Sequence, residues 1–124
     1  MIIISTTGAP VPAGHYSQAI VHGGLVFVSG QLPLDPTSRQ LVEGGIEPQV
    51  HQVLYNIAEI LREAGSGMDQ ILKATIFIPD IRYWKQVNEI FAEHLGSHRP
   101  ARAIIPCGDL HDGVLIEMEV VATV

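Results

Sequence analysis

Between Pro48 and Ile78 the chain changes its hydrophobic period, and that change limits the folds open to it. Val50, Val53, Leu54, Ile57, Leu61 and Ala64 recur at the spacing that gathers side chains on one face of an α-helix, and Gly65 is a natural stop. The run "ILKATIFI" (71–78) that follows is β-branched and closed by Pro79, so it reads as a strand. A one-sided helix feeding a strand calls for layers, with helix packed on sheet.

The rest of the chain extends this pattern. Trp84, Val87, Phe91 and Leu95 mark a second amphipathic helix that ends near Gly96. "SQAIVHGGLVFVSGQ" is two apolar runs around Gly23-Gly24, a hairpin signal, and further strands are expected near Ala101–Pro106 and Val114–Ala122. The order β-β-β-α-β-α-β-β contains two helical crossovers, which favour parallel neighbours, and hairpin-type antiparallel pairs. The expected fold is α+β, a single domain over 1–124 with a mixed sheet and two helices on one face.

Strand alternation then sorts the side chains. Ile116, Met118, Val120 and Ala122 share one face with Leu72, Ala74, Ile76 and Ile78, whereas Leu115, Glu117, Glu119 and Val121 share the other with Ile71, Lys73, Thr75 and Phe77. Two helices cover one face only. The second is too apolar for open water and too polar for a core, so other copies of the chain are expected to cover it.

Charge narrows the partners. Seven Lys and Arg against thirteen Asp and Glu give a net charge of −6 in 124 residues, and no basic stripe exists, which argues against nucleic acid. No segment has the roughly twenty apolar residues that cross a bilayer, so no membrane partner and a cytoplasmic location are expected. The lone Cys107 cannot form an intrachain disulfide and fits a reducing compartment.

Most familiar chemistries lack their residues. The six histidines are scattered, and Gly96 interrupts the helix between His94 and His98, the one four-residue pair, so no metal site is expected. Cys107 has no identifiable base, and no glycine-rich phosphate loop follows a strand. Asn88, near the apolar face of the second helix, needs a partner for its amide. So does Arg102 in "HRPARAI" (98–104), an arginine leading into an apolar strand. Its partner is either a carboxylate of its own fold, Glu117 or Glu119, or a ligand from solution. Arg102, Glu117, Ser29 and Tyr16 fall on strands or their entrances and together offer a carboxylate clamp, a water-orienting anion and two hydroxyls.

At these residues the chain resembles the RidA/YjgF family of reactive-intermediate deaminases, also labelled translation inhibitors or endoribonucleases, a label the acidic charge does not favour here. The resemblance is carried by "GHYSQAI" (14–20), "LVFVSGQLPLDP" (25–36), "QVHQVLYNIAEILREAG" (49–65), "KATIFIPD" (73–80), "VNEIFAEHLG" (87–96), "RPARA" (99–103) and "LIEMEVVA" (115–122). It implies a chorismate-mutase-like (YjgF-like) fold, a homotrimer with sites between subunits, and cofactor-free hydrolysis of 2-aminoacrylate, 2-aminocrotonate and similar enamine/imine acids to 2-oxo acids and ammonia. It assigns Arg102 to the substrate carboxylate, Glu117 to the attacking water, Tyr16 and Ser29 to the pocket, and Gly30 to backbone beside Ser29. His15 replaces a usual proline, Ile104 stands where some relatives have cysteine, and His111 stands where "LP" is common. Those departures leave open a specialised deaminase of an aminomuconate-like intermediate. A non-catalytic trimer that binds a small carboxylate metabolite is the alternative from another class.

Overall fold

A computed structural model describes the whole chain, Met1 to Val124. Six strands form one sheet: β1 (Ile2–Ile4), β2 (Ala19–His22), β3 (Leu25–Gln31), β4 (Ile71–Ile78), β5 (Ala101–Pro106) and β6 (Glu117–Thr123), in the spatial order β1-β2-β3-β6-β4-β5. Helix α1 (Ile46–Glu63) follows β3 and α2 (Trp84–Leu95) follows β4. The molecule is thus a mixed α+β domain, as the pattern of periods requires.

The turns account for the local geometry. Gly23 (φ 60°) and Gly24 (φ 77°) join β2 to β3 in a two-residue hairpin, with both turn residues in the left-handed region that glycine adopts without penalty. At the end of α1, Gly65 (φ 80°) donates its N–H to the Arg62 carbonyl and Ser66 donates to that of Leu61, a Schellman closure.

The topology corrects one expectation. Of the two helical crossovers, only that through α2 gives parallel neighbours, β4 and β5. Strand β6 lies between β3 and β4, antiparallel to both. Its inward row, Met118, Val120 and Ala122, is almost wholly buried, and a central place pairs its backbone on both sides. The strand also starts later than the apolar pattern suggests: Val114 and Ile116 are buried but precede its ladder.

Residues Val26, Val28, Ala74, Ile76 and Ile78 join that inward row and meet Val50, Val53, Leu54, Ile57, Leu61, Val87 and Phe91 from the helices in a single core. The sequence pattern puts Leu72 in the row as well, yet Leu72 is 48% exposed while Ile71 is 1% exposed. A β-bulge is the cause. Ile71 pairs with Ala122 and Lys73 with Val121, so Leu72 is the extra residue and the alternation resets there. The opposite face is uncovered. Phe27, Lys73, Thr75, Glu119 and Val121 line a shallow depression across it.

Candidate active site

Three buried amides hold the loops around the site. Gln18 accepts a hydrogen bond from the Thr6 N–H (2.7 Å) and donates to the carbonyls of Thr6, Ala9 and Pro10, which fixes the N-terminal loop that leads to Tyr16. Asn56 on α1 donates to the carbonyls of Leu32 and Leu34, just beyond β3. Gln49 accepts from the Leu115 N–H at 2.7 Å, at the entrance to Glu117. Each amide is at most 4% exposed, so its own polar atoms depend on these backbone partners.

The loops and strand ends enclose one cavity. Tyr16, Ser29, Gly30, Leu32, His111 and Glu117 line it. Between Val28 and Gln31 the β3–β6 register slips by one residue, so the Ser29–Gly30 step is a bulge aimed at the cavity. A glycine inside a strand is the sequence signal for such a bulge. The missing side chain at Gly30 also leaves room for the carboxylate, since a Cβ there would lie 2.9 Å from Glu117 Oε1 and displace it. Ser29 donates its hydroxyl proton to the Ser17 carbonyl at 2.6 Å and therefore offers the cavity only lone pairs. The Tyr16 hydroxyl accepts from the Ala13 N–H at 3.3 Å and keeps its own proton to give. The Glu117 carboxyl is raised above its ordinary value by burial and then by the charge of Glu119, with His111 opposing. That shift makes it a better proton acceptor than a solvated carboxylate.

Arg102 is not in this cavity, although the sequence groups it with the other three residues. On β5 it is the parallel partner of buried Ala74, so its side chain lies on the helix-covered side, whereas Glu117 pairs with Phe77 and projects from the other. The sheet separates them. Arg102 instead lines a second cavity with Asn88, Phe91, Leu95, His98 and Arg99. Its guanidinium donates to Asn88 Oδ1 at 2.9 Å and lies 5.1 Å from the Phe91 ring centroid and 5.8 Å from that of Trp84. This answers the sequence's question about Asn88, whose amide on the α2 flank accepts from Arg102.

An internal ion pair for Arg102 is ruled out as well. The pairs in the structure are Arg62–Glu59, Lys85–Glu89 and His111–Asp112. Arg102 meets neither Glu117 nor Glu119. Burial lowers its pKa from the ordinary value without a carboxylate to offset the lost hydration. A guanidinium with one neutral acceptor and two aromatic neighbours has donors left for an anion. No group of three or more His, Cys, Asp or Glu is gathered closely enough to hold a metal ion.

The Endoribonuclease L-PSP family model matches residues 6–124. Human 2-iminobutanoate/2-iminopropanoate deaminase is 41% identical over 120 residues, 97% of this chain and 88% of that one. RidA from an Antarctic Psychrobacter, a crystal structure, superposes with a TM-score of 0.96 at 34% identity over 100% of both chains. The chain belongs to the RidA/YjgF family. Another similar structure is Escherichia coli TdcF with bound serine, at a TM-score of 0.95 and 30% identity over 100% of this chain and 99% of that one. No helix of the chain is long and apolar enough to cross a membrane.

Proposed function

We propose that the protein hydrolyses small 2-imino acids, formed from enamines such as 2-aminoacrylate and 2-aminocrotonate, to 2-oxo acids and ammonia without a cofactor. The observation that carries this reading is the Arg102 guanidinium, partly desolvated, hydrogen-bonded to Asn88 and free of any carboxylate. A 2-imino acid has a carboxylate beside an electrophilic C=N carbon, and a planar guanidinium both binds the former and orients the latter. The relative named 2-iminobutanoate/2-iminopropanoate deaminase and the serine bound to TdcF both support a small carboxylate as the ligand.

Arg102 and the Tyr16–Ser29–Gly30–Glu117 cavity lie on opposite sides of the sheet, so a ligand of this size reaches both only if they come from two copies of the chain. We assign the complete site to the seam between neighbours in a homotrimer, with Arg102 of one copy facing Glu117 of the next. Glu117 takes a proton from water as the oxygen bonds to C2, and the C=N electrons move to nitrogen. Tyr16 donates to the nitrogen or the water, and Ser29 accepts from one of them. Collapse of the resulting carbinolamine expels ammonia.

The reading is tested by generating 2-aminocrotonate with threonine dehydratase in the presence of semicarbazide and following ammonia and 2-oxobutyrate. Faster hydrolysis with less trapped semicarbazone is expected. Binding of 2-oxobutyrate with hydrolysis at the uncatalysed rate would instead establish a carboxylate-binding protein without catalysis.

A further inference from the structure

Hydrolysis of an imine needs protons moved at two atoms. Water must lose one as it bonds to C2, and nitrogen must gain protons before it leaves as ammonia. Glu117 serves the first need. For the second, the Ser29 proton is committed to the Ser17 carbonyl, and a phenol is a weak acid. The cavity has one further proton carrier. His111 lines it together with Glu117, and imidazole is the side chain that ordinarily gains and loses a proton between about pH 5 and 8.

The local backbone favours this placement. His111 opens a short 3-10 turn, His111–Gly113, in which Asp112 (φ 53°) and Gly113 (φ 70°) are both left-handed. Aspartate is one of the few residues that adopts this region readily. The turn places Asp112 Oδ2 3.2 Å from His111 Nε2, so a protonated ring has a counter-ion on one nitrogen and a free N–H on the other. Glu117 feels the imidazole, since His111 lowers its pKa against the larger effects of burial and Glu119. The charged and titratable groups around the ring are Asp112 on its own turn, Glu117 and Glu119 on β6, and Tyr16 across the cavity.

We propose that His111 is a catalytic acid–base partner of Glu117, an inference that rests on the imine-hydrolase reading above. In the first step the ionised Glu117 takes a proton from water, the water oxygen bonds to C2, and His111 in its protonated form gives a proton to the imine nitrogen. The product is the carbinolamine, with Glu117 protonated and His111 neutral. In the second step Glu117 returns its proton to the amine, His111 removes the hydroxyl proton, and the C–N bond breaks as C=O forms. Ammonia leaves with the bonding pair, and both side chains regain their starting states.

The test is the pH dependence of kcat/KM for 2-iminobutanoate, corrected for the uncatalysed rate, in wild type, His111→Gln and His111→Ala. Wild type should give a bell with an acid limb from Glu117 and an alkaline limb from His111. His111→Gln should lose the alkaline limb and fall by on the order of 10²-fold, the usual scale of one acid–base group. Binding of 2-oxobutyrate and the melting temperature should hold, because the His111 side chain is 70% exposed. Free imidazole should restore part of the activity of His111→Ala, which a merely structural role would not allow. An active wild type whose profile is unchanged in His111→Gln overturns this inference alone. A wild type that does not accelerate hydrolysis overturns the parent reading and this one with it.

Discussion

Arg102 separates a binding role from a structural one by what its loss leaves behind. Removing one partner of a buried ion pair strands a charge and costs about 3–5 kcal/mol. Arg102 has no such partner, only Asn88 Oδ1 and two rings. Arg102→Lys keeps the charge and loses the planar fork. Turnover of 2-iminobutanoate should therefore fall by about 10²-fold, on the scale of a misplaced reactant, while thermal melting followed by circular dichroism shifts little. Glu117→Gln should slow hydrolysis and spare 2-oxobutyrate affinity by calorimetry, since the part proposed for it is on the water. Gly30→Ala makes a subtler change. Its new Cβ would lie 2.9 Å from Glu117 Oε1, so the carboxylate must move, and kcat should drop with the fold intact. The sequence identified these residues as types but not their relations. An arginine in an apolar strand announces that it needs a partner; that the partner is Asn88, fourteen residues earlier on α2, depends on how helix and edge strand pack.

Among the elements, both helices were legible from their periods, and β4 and β5 as apolar runs that end at proline. Two strand features were not. The bulges at Leu72 and at Ser29–Gly30 change which face a side chain takes by inserting one residue, and alternation alone carries no mark of that slip. The place of β6 between β3 and β4 is equally non-local. Helix–helix contact also brings His51 Nδ1 within 2.8 Å of His94 Nε2, with Tyr55 packed edge-on to His94. Burial, then the charge of His51, lowers the His94 pKa from its ordinary 6.5, against a smaller upward pull from Glu93. The unfolded chain thus binds a proton there more readily than the folded one. Stability from neutral His94 is complete above about 6.5 and is withdrawn as pH falls below it. The melting temperature should decline between pH 7.5 and 5, and His94→Gln should flatten that decline.

For the whole molecule, the proposed assembly rests on the uncovered sheet face. Phe27 is 46% exposed there, in a depression it shares with Val121, Thr75, Lys73 and Glu119. Sedimentation at micromolar concentration should give a trimer, and Val121→Glu should shift it toward monomer with loss of turnover in parallel. A trimeric wild type that stays trimeric and active with a charge at 121 would move the interface elsewhere. The sheet that separates Arg102 from Glu117 has a genetic consequence. If every complete site draws one residue from each of two chains, the two lesions Arg102→Lys and Glu117→Gln damage different halves of a seam. Two inactive alleles should then complement each other. A mixed ring always contains one seam where an intact arginine meets an intact glutamate, so co-expression of the two variants should restore activity that neither has alone.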